Sequence, residues 1–228
     1  MPSNAAIHVE PAMLNPAHRF AVIVLAAGLS TRLPGEPKLL KPWRGRPLMA
    51  HSLDTVLGVS PAQIITVVNE TTASMCDTLD GTSVERVPID DPSQGMGASL
   101  AAGIRALRSD IDAVFIALAD MPCISADTYA RLSRTFNPGA GITIVRPRFN
   151  GQWGHPVLFG RIHFGELSKL SGDTGARSIL DKHTARMVVQ DVDDPGSLID
   201  FDCEADFQNQ PGRESGGRVE EPEGRYLP

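Results

Sequence analysis

Two groups of residues in this sequence have types and spacing suited to phosphate chemistry. The first is the run Leu25-Ala26-Ala27-Gly28-Leu29-Ser30-Thr31-Arg32, which continues through Leu33-Pro34-Gly35-Glu36-Pro37 to Lys38. Gly28 and Ser30 let the backbone turn tightly and aim N–H groups at an anion. Arg32 and Lys38 add fixed positive charge to the same loop, a combination suited to a triphosphate. The run is neither a P-loop, since no GxxxxGK[ST] is present, nor a dinucleotide loop, since Gly28 stands alone. The plainer reading is a strand-to-helix loop with two solvated cations. The second group is Leu118-Ala119-Asp120-Met121-Pro122. A carboxylate at the tip of a buried strand, on the same rim as a basic loop, suits Mg²⁺, which takes one or two carboxylates plus substrate phosphates. The competing reading makes Asp120 a cap for the turn before Pro122.

Other polar residues are open to both functional and structural readings. His155 lies between Gly154 and Pro156 and could simply hydrogen-bond a turn. Asp173 and Arg177 are four apart and could form an ordinary ion pair at a helix start. Met96 and Met121 suit packing as well as ligand contact. Trp43 and Trp153 could stack on a ring or cover the edge of the core. His51, His163 and His183 show no metal-ligand spacing, and Cys76, Cys123 and Cys203 form no CxxC pattern. Buried single thiols are expected.

The elements that must position these groups follow from apolar patterning. Strands are predicted at 20–27, 64–68, 84–87, 113–118, 142–145, 157–159 and 186–189, from short apolar or β-branched runs. Helices are predicted from Pro47 at N1 to Leu57, over 97–107, from an N-cap at Ser125 to about 136, and over 175–182. Alternating strands and helices imply a doubly wound, mostly parallel sheet, and ligands of such sheets bind beyond the carboxyl ends of the strands. Residues 1–19 read as a flexible arm, 20–207 as one domain, and 208–228, rich in Gly, Pro and Glu, as a disordered tail.

Composition narrows the class of partner. The 21 Lys and Arg stand against 27 Asp and Glu, for a net charge of −6, which argues against broad nucleic-acid binding. No apolar run reaches the ~20 residues that span a bilayer, and the first residues lack a secretory pattern. The expectation is a cytoplasmic protein without membrane or nucleic-acid partners.

Six segments in order resemble the MobA-like nucleotidyltransferases, most closely the molybdenum cofactor cytidylyltransferases. They are LAAGLSTRLPGEPKLLKPWRGRPLM (25–49), QGMGASLAAGI (94–104), LADMP (118–122), GQWGHPVLF (151–159), SGDTGAR (171–177) and VDDPGSLIDFDCEAD (192–206). The resemblance covers 20–207. It implies a three-layer Rossmann-like α/β fold, with a mostly parallel mixed sheet and one antiparallel strand, of the nucleotide-diphospho-sugar transferase type. It also implies transfer of CMP from CTP to molybdopterin with release of pyrophosphate.

The site residues implied are as follows. Leu25, Ala26, Ala27, Gly28 and Ser30 hold the nucleotide, with Arg32, Lys38 and Asp120 catalytic. Gly95, Met96, Gly97 and Ser99 line the nucleoside side. His155, Gly172, Asp173 and Arg177 face the pterin. Asp120 and Asp202 bind Mg²⁺. In this family LAAG accompanies CTP and LAGG accompanies GTP. The chain departs from the pattern at Leu33-Pro34, where the family has Met-Gly, and at Cys203-Glu204-Ala205, where it has Thr-Pro-Glu. Two alternatives stay open: nucleotidyl transfer to another phosphorylated acceptor, such as a sugar or polyol phosphate, and a non-catalytic molybdenum cofactor chaperone. A molybdenum hydroxylase is the partner protein implied.

Overall fold

The computed structural model describes residues 13–28, 37–77 and 84–208, apart from the side chains of 75–77. The first half comprises β1 (Phe20–Ala26), a 3₁₀ turn (Lys38–Leu40), β2 (Pro42–Trp43), β3 (Arg46–Pro47), α1 (Leu48–Gly58), β4 (Gln63–Val68), α2 (Glu70–Asp77) and β5 (Val84–Pro88). There follow α3 (Gly95–Arg105), β6 (Ala113–Leu118), α4 (Ala126–Thr135), β7 (Ile144–Phe149), β8 (Gln152–Trp153) and β9 (Val157–Gly160). The last elements are α5 (Phe164–Leu167), α6 (Arg177–Lys182), β10 (Met187–Asp191) and α7 (Glu204–Gln208).

The main sheet has the order β10-β7-β9-β6-β1-β4-β5, with β8 paired to β7. β1 runs parallel to β4 and β6, and β10 parallel to β7. β9 is antiparallel to both β6 and β7. This is the predicted mixed sheet with its reversed strand, and the two-residue β8 is a second antiparallel segment. Strand β1 shows why the apolar runs are continuous. Phe20, Val22 and Val24 face a layer with Leu48, Leu53 and Val56 of α1 and Leu132 of α4. Ala21 and Ile23 face the opposite layer, with Leu100 and Ile104 of α3 and Ile179 of α6. A strand covered on both sides must be apolar at odd and even positions alike.

Several local expectations shift. Helix α1 starts at Leu48, and Pro47 is its cap at φ −54° and ψ 141°. Strand β7 runs on through Pro147 to Phe149. Its pairing with β9 stops at Val145 ↔ Leu158, and from there β8 takes over, with Gly154 N–H donating to Pro147 O at 2.9 Å. Helix α2 has no apolar periodicity to announce it and is fixed by its cap instead. Thr72 N–H donates to Asn69 Oδ1 at 2.9 Å, and Asn69 N–H donates to Thr72 Oγ1 at 3.1 Å. Cys203 is exposed rather than buried. It lies in a turn whose N–H groups at Cys203 and Asp202 both donate to Asp206 Oδ2.

The end of the predicted arm lies against the domain. Asn15 N–H donates to Ser133 Oγ at 2.9 Å, and Arg19 N–H to Asp112 Oδ2 at 2.8 Å. The His18 ring meets Phe136 edge-on at 5.1 Å. Residues 1–12 and 209–228 lie outside the described residues. Among those described, no helix is long and apolar enough to cross a membrane.

Candidate active site

The parallel strands β1, β4 and β6 present their carboxyl ends along one rim of the sheet. Ala119 N–H donates to Leu25 O at 3.1 Å, which carries the β6–β1 ladder one step past the end of β6. The buried Ser52 of α1 donates from Oγ to Ala119 O at 3.0 Å and anchors the turn that holds Asp120. From the other side, Phe201 N–H donates to Asp120 O at 3.1 Å. The Phe201 ring is fully buried and meets Trp43 edge-on at 5.1 Å. This anchor brings Asp202 beside Asp120 although 82 residues separate them in the chain.

Lys38 enters the same point from the 3₁₀ turn. Its Nζ lies 2.7 Å from Asp120 Oδ2 and 2.7 Å from Asp202 Oδ1. Burial opposes the charge on Lys38, but Asp120 and then Asp202 outweigh it and hold the ammonium above its ordinary value. Asp200 is pushed up, first by burial and then by Asp202 and Asp120. Two carboxylate oxygens converging on a single Nζ form a donor set that also fits a small hard cation. Among the described residues no group of three or more His, Cys, Asp or Glu is placed to hold a metal. A cation here would therefore rely on substrate phosphates and water for its remaining ligands.

The loop after β1 is fastened where it starts. Thr72 Oγ1 donates to Ala26 O at 2.9 Å, and Asn69 Nδ2 donates to Ala27 O at 3.2 Å and Gly28 O at 3.4 Å. One cap therefore starts α2 and fastens residues 26–28 at the end of β1. Ala27 packs in the layer beneath α3. Ser30 and Arg32 fall in 29–36, outside the described residues.

The glycines of GMG have a steric reason. Gly97 N–H donates to Gly172 O at 2.7 Å. A Cβ on Gly97 would sit 2.7 Å from Ser171 O, and one on Gly95 would sit 2.3 Å from Asp173 Oδ1. Gly95 also has φ +88°. The start of α3 and the 171–173 loop therefore touch backbone to backbone, which brings Gly95, Gly97, Gly172 and Asp173 together. Met96 is 47% exposed at this joint, and its Sδ would be 3.1 Å from a Cβ on Gly175. Ser99 Oγ donates to Gly95 O at 3.5 Å, within its own helix.

His155 stands at the entry to β9, ahead of a cis bond to Pro156. Its N–H donates to Ser197 O at 2.9 Å. Desolvation and the nearby Arg146 depress the imidazole to about 4, against the opposing pull of Asp120 and a hydrogen bond to the backbone of Ile116. The ring is thus neutral at physiological pH. Its Nδ1 is buried without a hydrogen-bond partner. Arg177 heads α6 and its charge acts on Arg146. Trp43 is buried at the core edge, while Trp153 is 46% exposed with the Arg146 guanidinium 4.8 Å from its ring centroid. Ser52, Asn69, Thr72, Arg146 and Asp200 were not singled out from sequence. Of these, only the Asn69-x-x-Thr72 cap carries a recognisable signal.

Known proteins are similar to this chain in sequence and fold. Nicotine blue oxidoreductase of Paenarthrobacter nicotinovorans is 31% identical over 186 residues, covering 79% of this chain and 90% of that protein. The bifunctional protein GlmU of Kineococcus radiotolerans is 29% identical over 180 residues, or 78% of this chain, and the chain spans only 35% of GlmU. Among solved structures, Rv0371c of Mycobacterium tuberculosis H37Rv superposes with a TM-score of 0.70 at 26% identity, covering 84% of this chain and 96% of that one. The same protein is also known in complex with manganese, with a TM-score of 0.67 at 25% identity over 83% of this chain and 96% of that one. The family described as the MobA-like NTP transferase domain matches residues 22–187, and with the nucleotidyltransferase fold and the converging rim residues in place, the chain belongs to that family of nucleotidyltransferases.

Proposed function

We propose that this protein transfers CMP from CTP to a molybdopterin-type acceptor, with release of pyrophosphate. The observation that carries the reading is the meeting of Lys38 with Asp120 and Asp202 at 2.7 Å each. It brings the segment that follows β1 to the tip of β6, as in-line transfer on a nucleotide requires. The LAAG form of the loop supports CTP over GTP. The GHPVLF and SGDTGAR segments, placed around His155 and Asp173, support a pterin acceptor.

The roles follow from charge and position. The backbone N–H groups of residues 28–32 and the cations Arg32 and Lys38 bind the triphosphate and stabilise the departing pyrophosphate. A divalent cation such as Mg²⁺, held by Asp120 and Asp202, would neutralise charge developing on the phosphates. The acceptor phosphate is ionised at neutral pH and needs no general base, so catalysis rests on positioning and electrostatics. The neutral His155 and the 171–173 loop orient the acceptor. Incubation with labelled CTP, Mg²⁺ and molybdenum cofactor should yield labelled pterin dinucleotide and pyrophosphate. Transfer to a sugar or polyol phosphate instead would keep the chemistry and change the acceptor. Cofactor binding without pyrophosphate release would mark a chaperone for a molybdenum hydroxylase.

A second reading is favoured by one observation, the name of the 31% identical relative, an oxidoreductase matched over 90% of its length. Consumption of a reduced nicotinamide cofactor, independent of any nucleoside triphosphate, would support it.

A further inference from the structure

Beside the proposed acceptor position lies a cation that the described structure leaves without a polar partner. Arg146 follows the last β7 residue paired with β9, and its side chain comes near Arg177 and Asp181 of α6. Its Nε is buried with no hydrogen-bond partner, and no ion pair involves it among the described residues. A buried N–H left unpaired costs ~1–3 kcal/mol, more when the group is charged. Native proteins place such groups where a ligand completes them. The guanidinium is held in place by Trp153, whose ring centroid is 4.8 Å away.

A second unsatisfied group stands next to it. His155 Nδ1 is also buried and unpartnered, and His155 feels Arg146 on one side and Asp120 on the other. The two orphaned atoms thus belong to neighbouring residues, with Asp120 also acting on His155. At the Arg146 end, Arg177 acts on the guanidinium as a like charge and Asp181 as an opposite one. The Nε edge of a guanidinium pairs side-on with two oxygens of a phosphate or carboxylate, which an ammonium cannot do.

We propose that Arg146, braced on Trp153, is the fork that binds a phosphate-monoester group of the acceptor molecule. This rests on the nucleotidyl-transfer reading for what the acceptor does, but the anion site itself does not depend on it. A phosphate held there lies near His155, on which both Arg146 and Asp120 act. Arg146 then acts as a determinant of acceptor binding, and neutral His155 avoids adding a third competing cation.

The test is a calorimetric titration of the full chain with inorganic phosphate, with and without Mg²⁺ and a saturating non-hydrolysable CTP analogue. Tryptophan fluorescence is followed in parallel. One saturable phosphate site is expected that persists when the analogue is bound. R146Q should weaken it at least tenfold, and R146K should also weaken it because lysine keeps the charge but loses the fork. Analogue affinity should change less than twofold in both variants. Circular dichroism identifies any variant that fails to fold, and R146K keeps the test open if R146Q does. Unchanged phosphate affinity in the folded variants would overturn the proposal. So would displacement of phosphate by the analogue together with weakened analogue binding in R146Q, since the anion site would then belong to the nucleotide. Failure of the analogue to bind would count against the nucleotide reading alone, and the titration without it would still decide the role of Arg146.

Discussion

Lys38 Nζ lies 2.7 Å from Asp120 Oδ2 and so ties the loop after β1 to the tip of β6, across 82 residues of chain. Because Asp202 Oδ1 lies at the same distance from that Nζ, the ammonium stands between two carboxylates that would otherwise repel. In the proposed reading, this protein cation occupies the point where a metal would meet the triphosphate.

Removing that ammonium has a signed consequence. K38M removes the cation that Asp120 and Asp202 share, and the variant should be destabilised by about 1–3 kcal/mol. Added Mg²⁺ or Mn²⁺ should then raise its melting temperature more than that of wild type, since the cation replaces the lost charge. Thermal unfolding with and without metal measures this. An equal shift in both proteins would show that Lys38 and the metal do not share the carboxylates.

The same pair fixes a high-pH dependence. The Lys38 pKa is raised in the folded state above its ordinary 10.5. Its ion pairing therefore contributes fully below the unfolded value and is lost as pH rises through the higher folded value. The stability difference between wild type and K38M should be constant from neutral pH to about 10 and shrink above that. Denaturant titrations across that range check it, and a difference that grows with pH would contradict the pairing.

His155 sets a dependence at the acid end. Its folded value near 4 lies below the ordinary 6.5, because burial disfavours the charged ring. As pH falls below 6.5 the unfolded chain takes up the proton first, so stability declines from there until the folded value is passed. The decline is on the order of 3 kcal/mol for this group. His163 is depressed to about 4 as well, also chiefly by burial, and adds to it. H155Q should flatten the acid limb of the wild-type curve by its share, and an unaltered acid limb would show His155 to be freely protonated in the fold.

The joint between GMG and SGD is tested sterically. G97A would place a methyl 2.7 Å from Ser171 O, against backbone that cannot move as a side-chain tip can. A loss of about 1–3 kcal/mol is expected, with raised KM for nucleotide or acceptor, or both. M96A, at the neighbouring exposed position, should cost less than about 1 kcal/mol. Denaturant midpoints compare the two, and equal losses would mean that the close approach is not maintained in solution.

Much of the fold was legible because the buried strands of β1, β4 and β6 announce themselves as unbroken apolar runs. Helix α2 was not, since its residues lack an apolar stripe and its existence rests on the Asn69–Thr72 cap. The same distinction governs the site. Lys38 and Asp120 could be picked out by residue type at strand ends, and Asp202 by resemblance. Their meeting depends on the Phe201 N–H bond to Asp120 O and on the Ser52 bond to Ala119 O, long-range contacts with no local pattern. Arg146 gave no signal because it sits inside a strand sequence, and only the burial of its Nε beside His155 Nδ1 reveals it.

The most direct measurement is pyrophosphate release by wild type and D120N with CTP or GTP, Mg²⁺ and molybdenum cofactor. Wild type should release pyrophosphate faster from CTP and only with metal present. D120N should lose at least 10²–10³-fold, equivalent to about 2.7–4 kcal/mol, while keeping its fold by circular dichroism. Undiminished release by a folded D120N would contradict the account at its centre.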